Sequence, residues 1–340
     1  GAIWDKEEWG PKYAQDAVPV KDQKEITGHA VRAMYLYTGA ADVAVANGDL
    51  GYMNAMKTVW EDVVHRNMYV TGGIGSSGSN EGFSVDFDLP NENAYSETCA
   101  SVGMVFWNQR MNLLEGNSQY IDVLERSLYN GALDGLSLSG DRFFYGNPLA
   151  SSGQHSRKEW FGTACCPSNI SRLVAAVGDY IYAKTEDGIW LNLFIGNTTS
   201  FTLKGKQVPV SIQTEFPWEG KVLVQVDPEE ELEFDFHLRV PGWAMENPVP
   251  GNLYSFVPGE KSNFSIQVNG KEAKFKMENG YAVLSQTWKK GDQIIYTLPM
   301  PIRELQSRPE VAANTGRIAI QRGPLVYCVE GTDNDGTVLD

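Results

Sequence analysis

Two of the four cysteines in this 340-residue chain, Cys165 and Cys166, are adjacent in "GTACCPSNISR". A third, Cys99, follows Glu97 at a spacing of two in "YSETCASV". Deprotonated, Glu97, Cys99, Cys165 and Cys166 are all metal ligands, and three thiolates with one carboxylate satisfy tetrahedral zinc. The alternative is a set of buried, unreactive thiols. Neighbouring cysteines can bond to each other only by distorting the peptide between them, so a metal accounts for the pair better than a disulfide does. Glu97 and Cys99 open one helical pattern, and the cysteine pair stands just before another, with Pro167 and Ser168 as its entry. Helix N-termini favour thiolate.

Glu81 lies in the Gly- and Ser-rich stretch "GSSGSNEGFSVDFDLPNENAYSETC", followed by Asp86 and Asp88. Most acids in such loops are simply solvated. Folded over a cleft, a glutamate here can donate a proton to a leaving group. His29, one of 4 histidines, can hydrogen-bond a sugar hydroxyl, although a lone histidine is more often structural. His65, His155 and His237 have no companions at ligand spacing, and Cys328 in "LVYCVEG" reads as a core thiol on a strand.

The elements that must position these groups fall into two stretches. Helical periodicity marks 24–47, 49–70 (with Asp49 as cap and Met53, Met56, Val59, Trp60 and Val63 on one stripe), 97–114, 118–136 and 168–185. The Gly- and Ser-rich run 71–82 permits only a loop, long enough to have a purpose. From residue 189 the pattern changes to short alternating runs with turn signals, including a hairpin at Asn269-Gly270. The expectation is a multi-domain α plus β protein: residues 1–186 helical and carrying the chemistry, and residues 187–340 an antiparallel β-sandwich that packs against them.

The balance of 28 Lys and Arg against 43 Asp and Glu gives a net charge of −15, which repels nucleic acid and anionic lipid. No run approaches the roughly 20 apolar residues of a membrane helix. The 9 Trp and 15 Tyr favour a carbohydrate ligand only weakly, since most aromatics fill cores.

In order along the chain, "GHAVRAMYLY", "MYVTGGIGS", "AYSETCASVGMVFWNQRM", "FFYGNPL", "TACCPSNISR", "RVPGWA" and "GPLVYCVEG" resemble the β-L-arabinofuranosidases of glycoside hydrolase family 127. The resemblance implies a retaining glycosidase built on an (α/α)6 barrel followed by β-sandwich domains. It implies zinc on Glu97, Cys99, Cys165 and Cys166, with Cys165 as nucleophile and Glu81 as general acid and base. It places His29 and Tyr145 against the sugar, and makes the partner an arabinose-containing oligosaccharide or glycan of plant type. A twelve-helix barrel needs more than roughly 200 residues, and only five helical patterns are present, so the N-terminal part of the barrel is expected to be absent. Hydrolysis of another rare or furanose sugar, and a non-catalytic carbohydrate-binding protein with structural zinc, are the alternatives. A bacterial glycan-degrading role fits either periplasm or cytoplasm, and no oligomeric state is written in the sequence.

Overall fold

The protein is described by a computed structural model over residues 9–259, 263–336 and 338. Among the described residues, five α-helices precede the strands: α1 (Ala30–Asn47), α2 (Leu50–Arg66), α3 (Thr98–Glu115), α4 (Ser118–Ser127) and α5 (Cys165–Ala175). None is long and apolar enough to cross a membrane. Asp49 caps α2 by accepting from the Gly51 N–H at 2.8 Å, and Asn117 caps α4 through Gln119 at 3.0 Å.

Helix α3 is the centre of the helical part. It packs on α1, α4 and α5, and most of its own residues are buried, from Val102 and Val105 to Met104, Trp107, Asn108 and Met111, with Gln109, Arg110 and Leu113 reaching the surface near its end. Its crossing with α1 is close because Gly103 lacks a side chain: a Cβ there would lie 2.6 Å from the Met34 Cβ. That approach brings the N-termini of the two helices together.

Four helical patterns are shorter than their periodicity predicts: α1 begins at Ala30 rather than residue 24, α2 ends at Arg66 rather than residue 70, and two others depart further. The run from residue 118 leaves α-geometry after Ser127, passing through a π turn (Leu128–Ala132) and a 3-10 turn (Leu133–Gly135). The Asn130 amide there donates to the Pro324 carbonyl at 2.9 Å, and its oxygen accepts from Val326 N–H at 2.8 Å. These long-range bonds compete with the local helix. The run from residue 168 begins earlier, at Cys165, and ends at Ala175; a 3-10 turn (Val177–Tyr180) and a strand (Tyr182–Lys184) follow.

A five-stranded sheet runs in the order 182–184, 188–191, 232–239, 281–288, 276–278, and a six-stranded sheet in the order 197–203, 206–214, 221–226, 292–297, 265–268, 271–272. They share one apolar core in which Ile189, Phe236, Leu284 and Trp288 of the first meet Val210, Val224, Ile294 and Tyr296 of the second. Pairing is antiparallel except between 188–191 and 232–239, which run parallel. Asn269 and Gly270 make the expected hairpin turn, both at positive φ. A third sheet of four strands orders as 325–327, 319–322, 302–307, 254–256, and Leu253 and Tyr254 pack into the helical core.

Cys328 is not a core thiol. The strand it was expected to occupy ends at Tyr327, pairs on one side only, and leaves Cys328 exposed. Helices and strands are tied together by Arg239, which is buried against Asp122 at 2.7 Å and against Glu125, both on α4. Trp243 Nε1 donates to Glu125 at 3.1 Å.

Candidate metal and catalytic centre

Three helix N-termini converge. His29 is the N-cap of α1, Glu97 that of α3 with Cys99 one residue into the helix, and Cys165 and Cys166 are the first two residues of α5. The cysteine pair therefore lies inside the first turn rather than before it. Pro167 fits there because a first-turn N–H has no intrahelical acceptor.

Neither His29 nor Glu97 spends its side chain on capping. Main-chain carbonyls do that work instead. Ala30 N–H donates to the Glu81 carbonyl at 3.1 Å, and Thr98 N–H donates to the Tyr145 carbonyl at 2.8 Å. The loop bearing Glu81 pairs with His29 through Gly82, where a Cβ would lie 1.8 Å from the Gly28 carbonyl oxygen. Glu81 itself stands at φ 51 and Ser96 at φ 38, a conformation non-glycine residues occupy at a cost and often beside functional groups.

The ligand atoms of Glu97, Cys99, Cys165 and Cys166 all lie within 4.8 Å of one another, as do those of His29, Glu81 and Glu97. The Cys99 and Cys166 sulfurs are 3.3 Å apart and those of Cys165 and Cys166 3.8 Å. Glu97 Oε1 is 3.4 Å from Cys165 Sγ and 3.5 Å from Cys166 Sγ. Tetrahedral zinc with thiolates at about 2.3 Å and a carboxylate at about 2.0–2.2 Å separates its donors by roughly 3.5–3.8 Å, and the observed spacings of 3.3–3.8 Å lie within about half an ångström of that. The electrostatics fit as well. Burial, followed by the charge of Cys165, pushes the Glu97 carboxyl up to about 8, and Glu97 Oε2 is buried without a partner. Hydrogen bonds from the Cys166 and Cys99 thiols hold Cys165 well below the ordinary thiol range, while Cys166 is held far above it. A divalent cation would remove the cost of ionising all four groups together.

Cys99 and Cys166 have no exposed surface, whereas Cys165 is partly open. The Tyr145 hydroxyl lies 3.3 Å from the Cys165 sulfur. His29 Nε2 is 3.0 Å from Glu81 Oε2. Burial lowers the His29 pKa, with Glu81 pulling the other way. Every residue singled out for chemistry from the sequence is thus in one cluster, except Asp86 and Asp88. Asp86 lies 3.6 Å from Arg66 and both are exposed. His65 packs against Trp60, His155 stacks on Phe144, and His237 stacks on Trp190 in its strand.

Two participants escaped the sequence reading. Tyr95 stands edge-on to Tyr145 with ring centres 6.3 Å apart, and burial, with Glu97 and Glu81 adding to it, raises its pKa. Asn169 Nδ2 donates to the Cys99 sulfur at 3.0 Å. Their only sequence signals are position, Tyr95 two residues before Glu97 and Asn169 one helical turn after Cys165.

Three family models match the chain in succession. They are the catalytic domain of GH127 β-L-arabinofuranosidase over residues 3–179, the middle domain over 188–300 and the family C-terminal domain over 302–340. A curated relative, the non-reducing end β-L-arabinofuranosidase of Bifidobacterium longum subsp. longum, is 38% identical over an alignment taking in 96% of this chain and 49% of its own length. A solved GH127 β-arabinofuranosidase superposes with a TM-score of 0.93 at 42% identity, covering 94% of this chain and 50% of that one. A GH127 β-L-arabinofuranosidase from Geobacillus stearothermophilus T6 gives 0.88 at 41% identity, covering 96% and 51%. The chain spans about half the length of these relatives. With one family's domains matching in order from residue 3 to 340 and two of its structures superposing, this chain belongs to glycoside hydrolase family 127.

Proposed function

We propose that this chain supplies the catalytic centre of a retaining glycosidase that releases terminal β-L-arabinofuranose from plant-type glycans. The observation that carries the reading is the difference among the three clustered sulfurs: Cys165 is partly exposed, whereas Cys99 and Cys166 are fully buried. The partly exposed Glu81 belongs to the same group of side chains through His29 and Glu97.

In this mechanism Glu81 donates its proton to the glycosidic oxygen as the Cys165 sulfur attacks the anomeric carbon. The C–O bond breaks, the aglycone leaves as an alcohol, and the sugar is held through a C–S bond. Glu81, now a carboxylate, takes a proton from water. That water attacks the same carbon, the C–S bond breaks, and the thiolate returns. Two inversions give net retention, with sulfur in the place that a carboxylate holds in most retaining enzymes. His29, through the Nε2 it shares with Glu81, and Tyr145, through the hydroxyl it shares with Cys165, meet the sugar hydroxyls. Glu97, Cys99, Cys165 and Cys166 are the residues that would hold zinc, which supplies the positive charge that keeps thiols deprotonated near neutral pH.

We read the five helices as part of an (α/α)6-type barrel reaching to about residue 186, and the two sheets sharing a core as a sandwich that shields it. Glu81→Gln tests the assignment. Hydrolysis of an aryl β-L-arabinofuranoside is expected to fall about 10²–10⁴-fold with metal content unchanged. Undiminished hydrolysis removes Glu81 from its role. Full metal content in a protein that cleaves no member of a panel of aryl furanosides supports a binding protein with structural zinc, and cleavage of a different furanoside reassigns the sugar.

A further inference from the structure

Asn169 is held at both ends of its amide. Nδ2 donates to the Cys99 sulfur across the α3–α5 contact at 3.0 Å. The Tyr35 hydroxyl donates to Oδ1 at 3.0 Å, and Arg172 Nη2 donates to the same oxygen at 2.9 Å. Arg172 Nη2 also reaches the Tyr35 hydroxyl at 2.8 Å, and its guanidinium lies 4.8 Å from the Phe106 ring centre on α3. An asparagine amide is nearly symmetric in shape, so its donor and acceptor ends are told apart only by their partners. Two donors on the oxygen leave the NH₂ to face sulfur; a flip would break both bonds and turn a carbonyl toward a buried thiolate. The device also spans the site: Tyr35 comes from α1, Cys99 from α3, and Asn169 with Arg172 from α5.

We infer that Asn169 is a positioning residue of the metal centre, one that fixes the Cys99 sulfur in its ligating orientation and withdraws charge from it, with Tyr35 and Arg172 locking the amide. The inference rests on the metal-binding part of the reading above. Hydrogen bonds to ligating groups orient them and tune the metal, and their loss typically weakens affinity about 10–100-fold. An N–H bond to a thiolate also stabilises its filled orbitals, so moving an electron from sulfur to metal then requires more energy.

The test uses the purified chain loaded with cobalt(II), whose sulfur-to-metal absorption reports on the thiolates directly. Asn169→Ala is expected to move that absorption to longer wavelength and to release metal to a chromophoric chelator about 10–100-fold more readily. Arg172→Gln and Tyr35→Phe, which keep the asparagine and loosen its lock, should shift both readouts the same way by less. A cobalt-loaded Asn169→Ala protein with the parent absorption and affinity overturns the inference while leaving the metal reading intact. If that variant fails to fold, Tyr35→Phe decides the matter, since an unchanged absorption there shows that the lock does not act on Cys99. A parent chain that takes up no cobalt overturns the metal reading and this inference with it.

Discussion

Cys165 is set apart from the two sulfurs beside it by access rather than by position in the cluster. A serine there keeps the shape and removes the thiolate, so Cys165→Ser should abolish hydrolysis and loosen the metal. Mass spectrometry should find about one zinc per parent chain and less in the variant after dialysis against chelator. Full retention of zinc would show that Cys165 is not a ligand. Glu97, Cys99, Cys165 and Cys166 were marked as a group by residue type and position in the sequence and do gather in one cluster, whereas Glu81, His29 and Tyr145 owed their roles to the family resemblance. Tyr95 and Asn169 were marked by neither, because tyrosine and asparagine have many ordinary uses and only the folded contacts single them out. Cys328 was misread for a related reason: alternation with apolar residues does not reveal where an edge strand stops.

The N-termini of α1, α3 and α5 meet because loops hold them, and the loop carrying Glu81 is the tightest join. Gly82 leaves no room for a side chain against the Gly28 carbonyl. Gly82→Ala should push the loop off the start of α1, costing at least about 1–3 kcal/mol of stability and most of the hydrolysis. A denaturation midpoint equal to the parent's would show that the join gives way without loss. Helix existence was readable from periodicity in all five cases. Helix ends were not: α5 starts at Cys165 and the run from residue 118 breaks at Ser127, each decided by partners distant in sequence. The parallel pairing of 188–191 with 232–239 was hidden for the same reason, since alternation gives a strand's faces and not its neighbour's direction.

The helices and sheets meet around Arg239, a single buried cation between Asp122 and Glu125. Burial already pushes the Asp122 carboxyl up to about 6, with Arg239 opposing and Glu125 adding to the shift. Arg239→Met would leave two acids facing each other and should cost about 3–5 kcal/mol, read as a fall in the unfolding midpoint. With the cation gone, the folded-state pKa of Asp122 rises further above its unfolded value near 4. The native state then holds extra protons, and its stability falls as pH climbs past about 4. The deficit should therefore be larger at about pH 8 than at about pH 5, and a pH-independent deficit would exclude this origin. The carbonyl caps on α1 and α3 bear on the history of such a protein. Glu81 and Tyr145 support the helices with atoms that every amino acid possesses, and in the proposed mechanism they would meet the sugar with atoms that mutation can replace. Scaffold and chemistry are thus inherited separately at the same two positions, so a descendant can change or abandon its reaction there while its architecture survives unaltered.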